Sequence, residues 1–421
     1  MPFVMCRAPR FAVASTVALL SALAPASRSV ADPAPPFAAL LQQSQVTAPR
    51  LAEAVAGVRQ SEGLARQAAA RPNPTASFGV ENFSGSGSFR GYDEAETTAS
   101  IEQPLELGGK RAARVTAGRA GVEAARARLE RVRADFGFDL ALAYAEADVA
   151  ERRATLAEEN VALALEDLRV AKALVEAGRV AELNSYQAQA AVSAARAALD
   201  AARAAQAETL ARLTALSGSP APFTSLSEDL LARPAGLAPV GDLDVTRSPL
   251  VLAAQAERDE VARRVRVEQT RAIPDVTASL GYRRFAGDDS HALVGGVSVA
   301  LPLFDQNRGN VAAVRGELAA ADARLNAARL DATADGRSAL FQIEAAQSRA
   351  ASALLGEQAA REAYRLTRIA YESGKSPLSD LTNARRGLAD ARAQTLDAQL
   401  ARVRAEAGLA RLLGRAPFGV N

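Results

Sequence analysis

The chain combines long segments in which apolar residues recur at helical spacing with short segments in which apolar and polar residues alternate. Two helical segments stand out, because residues 109–176 and 310–372 contain no proline. At a rise of ~1.5 Å per residue, each predicts a rod on the order of 100 Å long. Helices of that length do not fit inside a compact soluble domain.

Shorter helices are predicted on either side of each long one. The first runs over 48–70 and ends before Pro72, which cannot continue a helix. Its counterpart runs over 249–271. After each long helix, Gly178 or Gly374 predicts a reversal of the chain, because glycine commonly ends a helix in the left-handed conformation. The returning helices extend to about Leu216 and Leu413.

Four segments with period-two alternation, of which the second is the weakest, predict β-strands arranged as two hairpins around polar, glycine-containing loops. Each strand has one apolar face and one face of polar or small residues. These strands are predicted at about 75–83, 97–103, 276–285 and 292–301. The polar face carries Thr75, Ser77, Glu81, Ser100, Glu102, Thr277, Ser279, Arg283 and Ser298.

The second half of the chain repeats the first. The segment 72–79 is similar to 274–281 at an offset of 202, and the segment 100–105 is similar to 298–303 at an offset of 198. At the turns, Gly178 corresponds to Gly374 at an offset of 196. The sequence therefore predicts a signal peptide at 1–31, an N-terminal extension at 32–47, repeat 1 at 48–218, a connecting segment at 219–248, repeat 2 at 249–414 and a tail at 415–421, with turns at about 177–182 and 373–379.

The signal peptide is predicted from two arginines followed by a short apolar run and small residues. Composition limits the chemistry of the exported chain. Lys and Arg number 50 against 48 Asp and Glu, which excludes nucleic-acid binding by bulk charge. The chain has one cysteine, Cys6, and one histidine, His291, so we expect no disulfide, no metal site, no cofactor and no enzymatic activity.

An exported chain with strands of about nine residues fits a membrane barrel, although a soluble hairpin packed on a helix remains an alternative. Lipid offers no partner to an unpaired strand edge, and the smallest membrane barrels have about eight strands. Four strands per chain are therefore too few to close a barrel. Two chains would leave a filled lumen, whereas three would leave an open bore, which the polar face of small residues favours.

This arrangement resembles the TolC-like outer-membrane efflux proteins over about residues 40–414. The strand-to-helix junction Gln103-Pro104-Leu105-Glu106-Leu107-Gly108-Gly109-Lys110-Arg111 is similar to that of the cobalt-zinc-cadmium branch. The turn at 373–381 resembles the second tip turn of the family. In the second repeat, Pro302 occupies the junction position of Pro104.

The resemblance implies a mainly helical chain with a small β part, which forms a homotrimer in the outer membrane. Twelve strands would make a transmembrane barrel in outer-membrane lipid, continued by an α-helical barrel in the periplasm. The function implied is a passive exit duct that docks with a periplasmic adaptor and an inner-membrane RND-type pump. The junction motif favours divalent heavy-metal cations as substrates. Drugs or other small molecules are one alternative, and a soluble periplasmic helical adaptor is another.

The resemblance also implies a gate at the helix tips near Gly178 and Gly374. Tyr371 and Asp380 occupy positions that close the inner end in the family, whereas Asn184 stands where an acid is often found in the first repeat. Some relatives carry a lipid on an N-terminal cysteine. Cys6 precedes the apolar run, so we expect no lipid anchor through cysteine.

Overall fold

The computed structural model describes residues 32–234 and 243–419, so the predicted signal peptide and part of the connecting segment lie outside it. The described residues are mostly helical with one small sheet. In chain order the elements are α1 (Phe37–Thr47), α2 (Pro49–Ala69), β1 (Thr75–Glu81), β2 (Glu96–Leu105), α3 (Lys110–Glu176), α4 (Leu183–Ser217), α5 (Pro249–Arg271), β3 (Val276–Phe285), β4 (His291–Val299), α6 (Arg308–Glu372) and α7 (Leu378–Leu412).

Two tandem repeats organise these elements. The first consists of α2, β1, β2, α3 and α4, and the second of α5, β3, β4, α6 and α7. The long helices α3 and α6 have 67 and 65 residues, and the returning helices α4 and α7 have 35 each. The similar lengths follow from the absence of proline inside the helices and from matching stop signals at their ends.

The helices form a layer, and each long helix runs through both the half near the sheet and the half near the turns. In the half near the sheet, α2 packs on α3, α3 on α5, and α5 on α6. In the half near the turns, α4 packs on α3, α3 on α7, and α7 on α6. The outer positions of the layer are therefore held by α6 on one flank and by α2 and α4 on the other.

The reversals at Gly178 and Gly374 have the same hydrogen-bonding pattern. Gly178 has φ +68° and Gly374 has φ +72°, which is the left-handed region that glycine adopts without steric cost. In each turn the glycine N–H donates to the carbonyl three residues earlier, and the next N–H donates to the carbonyl five residues before it. This is the Schellman arrangement, which satisfies the last free carbonyls of the long helix.

The largest apolar core lies midway along the layer and includes the segment before α2. Phe37 and Tyr144 pack edge to face at 6.0 Å, and both side chains are fully buried. Ala34 forms a parallel bridge with Leu226 of the connecting segment. The N-terminal extension thus contains a helix, α1, that the apolar spacing of the sequence did not single out.

The sheet joins the helices through sharp bends. Pro104 lies inside β2, opposite Thr277, and the chain changes direction only at Gly108 and Gly109, both with positive φ. Pro302 lies between β4 and α6. Across residues 32–234 and 243–419, no helix is both long enough and apolar enough to cross a bilayer.

Candidate channel surface and helix tips

The four strands form one antiparallel sheet in the order β1-β2-β3-β4. The hairpins are joined by β2 and β3, where Ser100 lies opposite Gly281 and Thr98 opposite Arg283. Since side chains alternate between faces along each strand, the register places all nine residues of the predicted polar face on the same side. The polar face predicted from alternation is therefore one continuous surface.

Hydrogen bonds and charges connect the polar face. The hydroxyl oxygens of Ser77 and Ser100 lie 2.7 Å apart. Near the loop end, the Arg283 guanidinium lies 2.8 Å from a carboxylate oxygen of Glu96 and 3.7 Å from one of Glu81, and it donates to the Thr98 hydroxyl at 2.9 Å. These contacts hold Arg283 along the surface of the sheet.

The opposite face of the sheet is apolar and exposed. Phe78 is 73% exposed, Leu280 66% and Leu293 81%. None of the helices that the structure describes covers these side chains. A large exposed apolar face on a protein marks a contact with a membrane or with another protein, and this face has that character.

The sheet also has two open edges. Within the part of the chain that the structure describes, β1 pairs only with β2, and β4 only with β3. The outer N–H and C=O groups of both edge strands therefore lack strand partners in one copy of the chain.

At the opposite end of the molecule, Tyr371 is packed inside a core formed by α3, α4, α6 and α7. It is 2% exposed, and its hydroxyl has no hydrogen-bond partner among the described residues. Burial, together with the charge of Asp167, raises the pKa of the Tyr371 phenol above its ordinary value. A Cβ placed on Gly374 in the second turn would lie 3.7 Å from Nη2 of Arg179 in the first turn, so the two turns are neighbours.

Asp380 and Asn184 occupy equivalent positions after the two turns, and each side chain forms a hydrogen bond within its own turn. Asp380 is exposed in the first turn of α7, where its carboxylate accepts a hydrogen bond from the Ser376 hydroxyl at 2.8 Å. A carboxylate at a helix N-terminus is stabilised by the helix dipole. The Asn184 side chain donates to the Ala181 carbonyl at 3.2 Å. No hydrogen bond joins Asp380 to Tyr371 in the described residues.

A buried ion pair near the tips was not anticipated from the sequence. Asp167 of α3 and Arg385 of α7 have side chains only 9% and 7% exposed, and Asp167 Oδ2 lies 3.5 Å from Arg385 Nη1. Within residues 32–234 and 243–419, that nitrogen has no hydrogen-bond partner, and neither does the hydroxyl of nearby Tyr364. Burial raises the pKa of the Asp167 carboxyl, although the charges of Arg385 and Arg368 act in the opposite direction.

The described residues contain no group of three or more His, Cys, Asp or Glu side chains that could hold a metal ion. The features gathered here are instead an amphipathic sheet at one end, a layer of long helices, and a packed helical tip at the other end.

Comparisons with known proteins agree with this architecture. The family model described as outer membrane efflux protein matches residues 40–219 and again 244–415, one match for each repeat. The outer membrane protein VceC from Vibrio cholerae, a solved structure, shares the fold with a TM-score of 0.74 and 20% identity, covering 90% of this chain and 96% of VceC.

Two metal-resistance proteins are similar over most of their length. The nickel-cobalt-cadmium resistance protein NccC of Alcaligenes xylosoxydans xylosoxydans is 45% identical, covering 91% of this chain and 88% of NccC. The nickel and cobalt resistance protein CnrC of Cupriavidus metallidurans is 46% identical, covering 81% of this chain and 80% of CnrC. Because the family model spans both repeats, the chain belongs to the outer membrane efflux protein family.

Proposed function

We propose that this outer-membrane efflux channel works as a homotrimer and forms the exit duct of a tripartite efflux system. Its partners would be a periplasmic adaptor and an RND-type pump of the inner membrane. The observation that carries the proposal is the four-stranded sheet, which combines an exposed apolar face with two open edges. In lipid the edges must be paired, and only a closed barrel pairs all of them.

Three copies of the sheet supply twelve strands, which is enough for an open bore, whereas two copies would give eight and a lumen filled by side chains. With the apolar face toward lipid, the face that contains Ser279, Glu102 and Arg283 lines the bore. The outer helices support the same assembly. Large apolar side chains on α6 and on the α2 and α4 flank remain exposed in one copy, among them Leu330, Phe341, Leu355, Leu64, Leu183 and Tyr186.

The orientation of the sheet can be tested with two adjacent residues of β3. Ser279 lies on the polar face and Leu280 on the apolar face. In planar bilayers, Ser279→Trp is expected to lower the single-channel conductance, because the indole would enter the bore. Leu280→Trp is the matched control and is expected to leave the conductance unchanged, since it would face lipid. The reverse result would place the apolar face inside and would refute the orientation.

We further propose that the helix tips form the periplasmic gate, with Tyr371 and Asp380 on the second turn and Asn184 on the first. The packed core around Tyr371 supports this, because opening the tip requires α3, α4, α6 and α7 to separate there. The chain is proposed to reach the outer membrane by means of its signal peptide, without a lipid on cysteine.

Divalent heavy-metal cations are the proposed substrates. The similarity to NccC and CnrC over most of the chain supports this assignment, since their names include nickel, cobalt and cadmium resistance. The chain lacks a cluster of metal ligands in its described residues, so the pump and adaptor would select the metal and the duct would conduct it.

Deleting the gene and measuring growth in nickel, cobalt, cadmium and zinc tests the substrate class, with dyes and detergents measured in parallel. We expect lost metal tolerance that the wild-type gene restores. Unchanged metal tolerance with lost dye tolerance would instead favour a duct for drugs. A folded protein recovered from the periplasm without detergent would refute the membrane duct and favour a soluble helical adaptor.

A further inference from the structure

The two open edges of the sheet belong to different repeats. The edge strand β1 comes from repeat 1 and the edge strand β4 from repeat 2. We propose that β4 of one copy pairs with β1 of the next in the register that β2 and β3 use within one chain. Ser298 then lies opposite Gly79 of the neighbouring copy. This inference rests on the homotrimer proposed above and specifies how its copies join.

The internal repeat supplies the register. Strand β3 corresponds to β1 at an offset of 202 residues, and the end of β4 corresponds to the end of β2 at an offset of 198. The β2–β3 contact joins the end of repeat 1 to the start of repeat 2. The contact between β4 and the next β1 would join the end of repeat 2 to the start of repeat 1. In a ring of three chains these two kinds of junction alternate.

A glycine that has no steric role in one copy supports this register. At the β2–β3 junction, a Cβ on Gly281 would lie 2.9 Å from the Ser100 Cβ and 3.1 Å from the Ala99 carbonyl oxygen. Glycine is therefore required there. Gly79 is the repeat equivalent of Gly281, yet no atom lies within 4 Å of a Cβ placed on it.

The missing neighbour of Gly79 follows from the repeat. Ser298 is the equivalent of Ser100 and lies on the open edge strand β4. In the proposed register it approaches Gly79 of the neighbouring copy as Ser100 approaches Gly281. The second copy thus supplies the close contact that makes glycine necessary at position 79.

The register also keeps both faces of the sheet continuous. It places Val299 opposite Phe78 and Val297 opposite Val80 of the neighbouring copy, so the exposed apolar rows meet on the lipid side. A shift by one residue would move every side chain of the incoming strand to the wrong face. A shift by two would preserve the faces but would place Ser298 opposite Ser77 or Glu81 and remove the contact with Gly79.

Disulfide trapping tests the register in a Cys6→Ser background, which contains no other cysteine. Val80→Cys with Val297→Cys is the predicted pair, because these positions lie opposite each other in the proposed register and neither is a glycine. Phe78→Cys with Val297→Cys is the shifted control, because diagonal neighbours are ~7–8 Å apart and a disulfide needs Cβ atoms ~3.5–4.5 Å apart. Ala99→Cys with Tyr282→Cys, the repeat equivalent of the predicted pair, is the positive control and is expected to close within one chain. The molecular mass in detergent measures assembly independently.

After mild oxidation, the predicted pair is expected to give covalent trimers on a denaturing gel that reductant reverses. The shifted pair and each single cysteine variant are expected to remain monomers on the same gel. Cross-linking of the shifted pair alone, or of neither pair in a sample that is trimeric in detergent, would overturn the register and leave the trimer standing. A wild-type protein that is monomeric in detergent would refute the homotrimer and the register together.

Discussion

The buried pair of Asp167 and Arg385 allows a quantitative test of how the helix tip is held together. Replacing Arg385 by alanine leaves the Asp167 carboxylate buried without its cation. Removing one partner of a buried ion pair costs about 3–5 kcal/mol. The exposed neighbour Arg386 provides a matched control on the same helix, because truncating a solvated arginine changes stability by about 0.5 kcal/mol or less.

The geometry also predicts the sign of the stability change when both partners are replaced. Arg385 Nη1 and Asp167 Oδ2 are 3.5 Å apart, longer than the ~2.7–2.9 Å of a charge-assisted hydrogen bond. The nitrogen has no other partner, so the attraction compensates only part of the desolvation cost. The double variant Asp167→Leu with Arg385→Met is therefore expected to be neutral or more stable than wild type by up to about 4 kcal/mol.

Amide hydrogen exchange of the protein purified in detergent measures these effects locally. If the tip opens as a unit, a loss of about 3–5 kcal/mol accelerates exchange in α7 near Arg385 by about two to three and a half orders of magnitude. Exchange in the core around Leu213, midway along the layer, is expected to remain unchanged. Equal exchange in Arg385→Ala and Arg386→Ala would refute the assignment of Arg385 to a buried pair.

Three other perturbations test separate parts of the structure. Burial raises the pKa of the fully enclosed Tyr144 to about 12 from 10.0. Because the unfolded chain then loses this proton first, the free energy of unfolding is expected to fall by up to about 2.7 kcal/mol between pH 10 and pH 12. Tyr144→Phe should remove that loss in thermal unfolding. Gly218→Ala should lower the thermal midpoint more than Gly178→Ala: both have positive φ, but only at Gly218 would a Cβ lie 2.3 Å from a backbone oxygen. In planar bilayers, Asp380→Ala should raise the single-channel conductance if the Asp380 residues of the proposed trimer hold the gate closed. Tyr371→Phe should leave the conductance unchanged, because the Tyr371 hydroxyl has no hydrogen-bond partner to lose in the described residues. A rise only in Tyr371→Phe would contradict this.

Backbone architecture was the part of the fold that the sequence could predict. Proline and glycine act locally, so the ends of α2 and α5 and the reversals at Gly178 and Gly374 followed from single residues. Alternation placed the strands and their two faces. The β2–β3 pairing did not follow, because alternation fixes which face a residue occupies and leaves the partner strand open.

Side-chain packing along the helices was not predictable in the same way. Arg385 and Arg386 are adjacent and identical, yet the first is buried against Asp167 and the second is exposed. In helices rich in alanine and arginine, apolar spacing does not say which flank faces a neighbour. The helix α1 was missed for a related reason, since its apolar residues cluster at 37–41 instead of recurring along the helix, and its burial depends on the distant connecting segment.

Comparing equivalent positions of the two repeats distinguishes residues that serve the proposed assembly from residues that serve the proposed gate. Where a left-handed turn or a close strand contact is needed, both repeats retain the same residue type, as Gly178 and Gly374 show. Near the tips they diverge: Tyr371 corresponds to Val175, and Asp380 to Asn184. A barrel built from alternating repeats needs equivalent junctions, because every strand must be paired. The proposed gate has no such need, so we expect the residues that differ between the repeats to make the two tip turns behave differently.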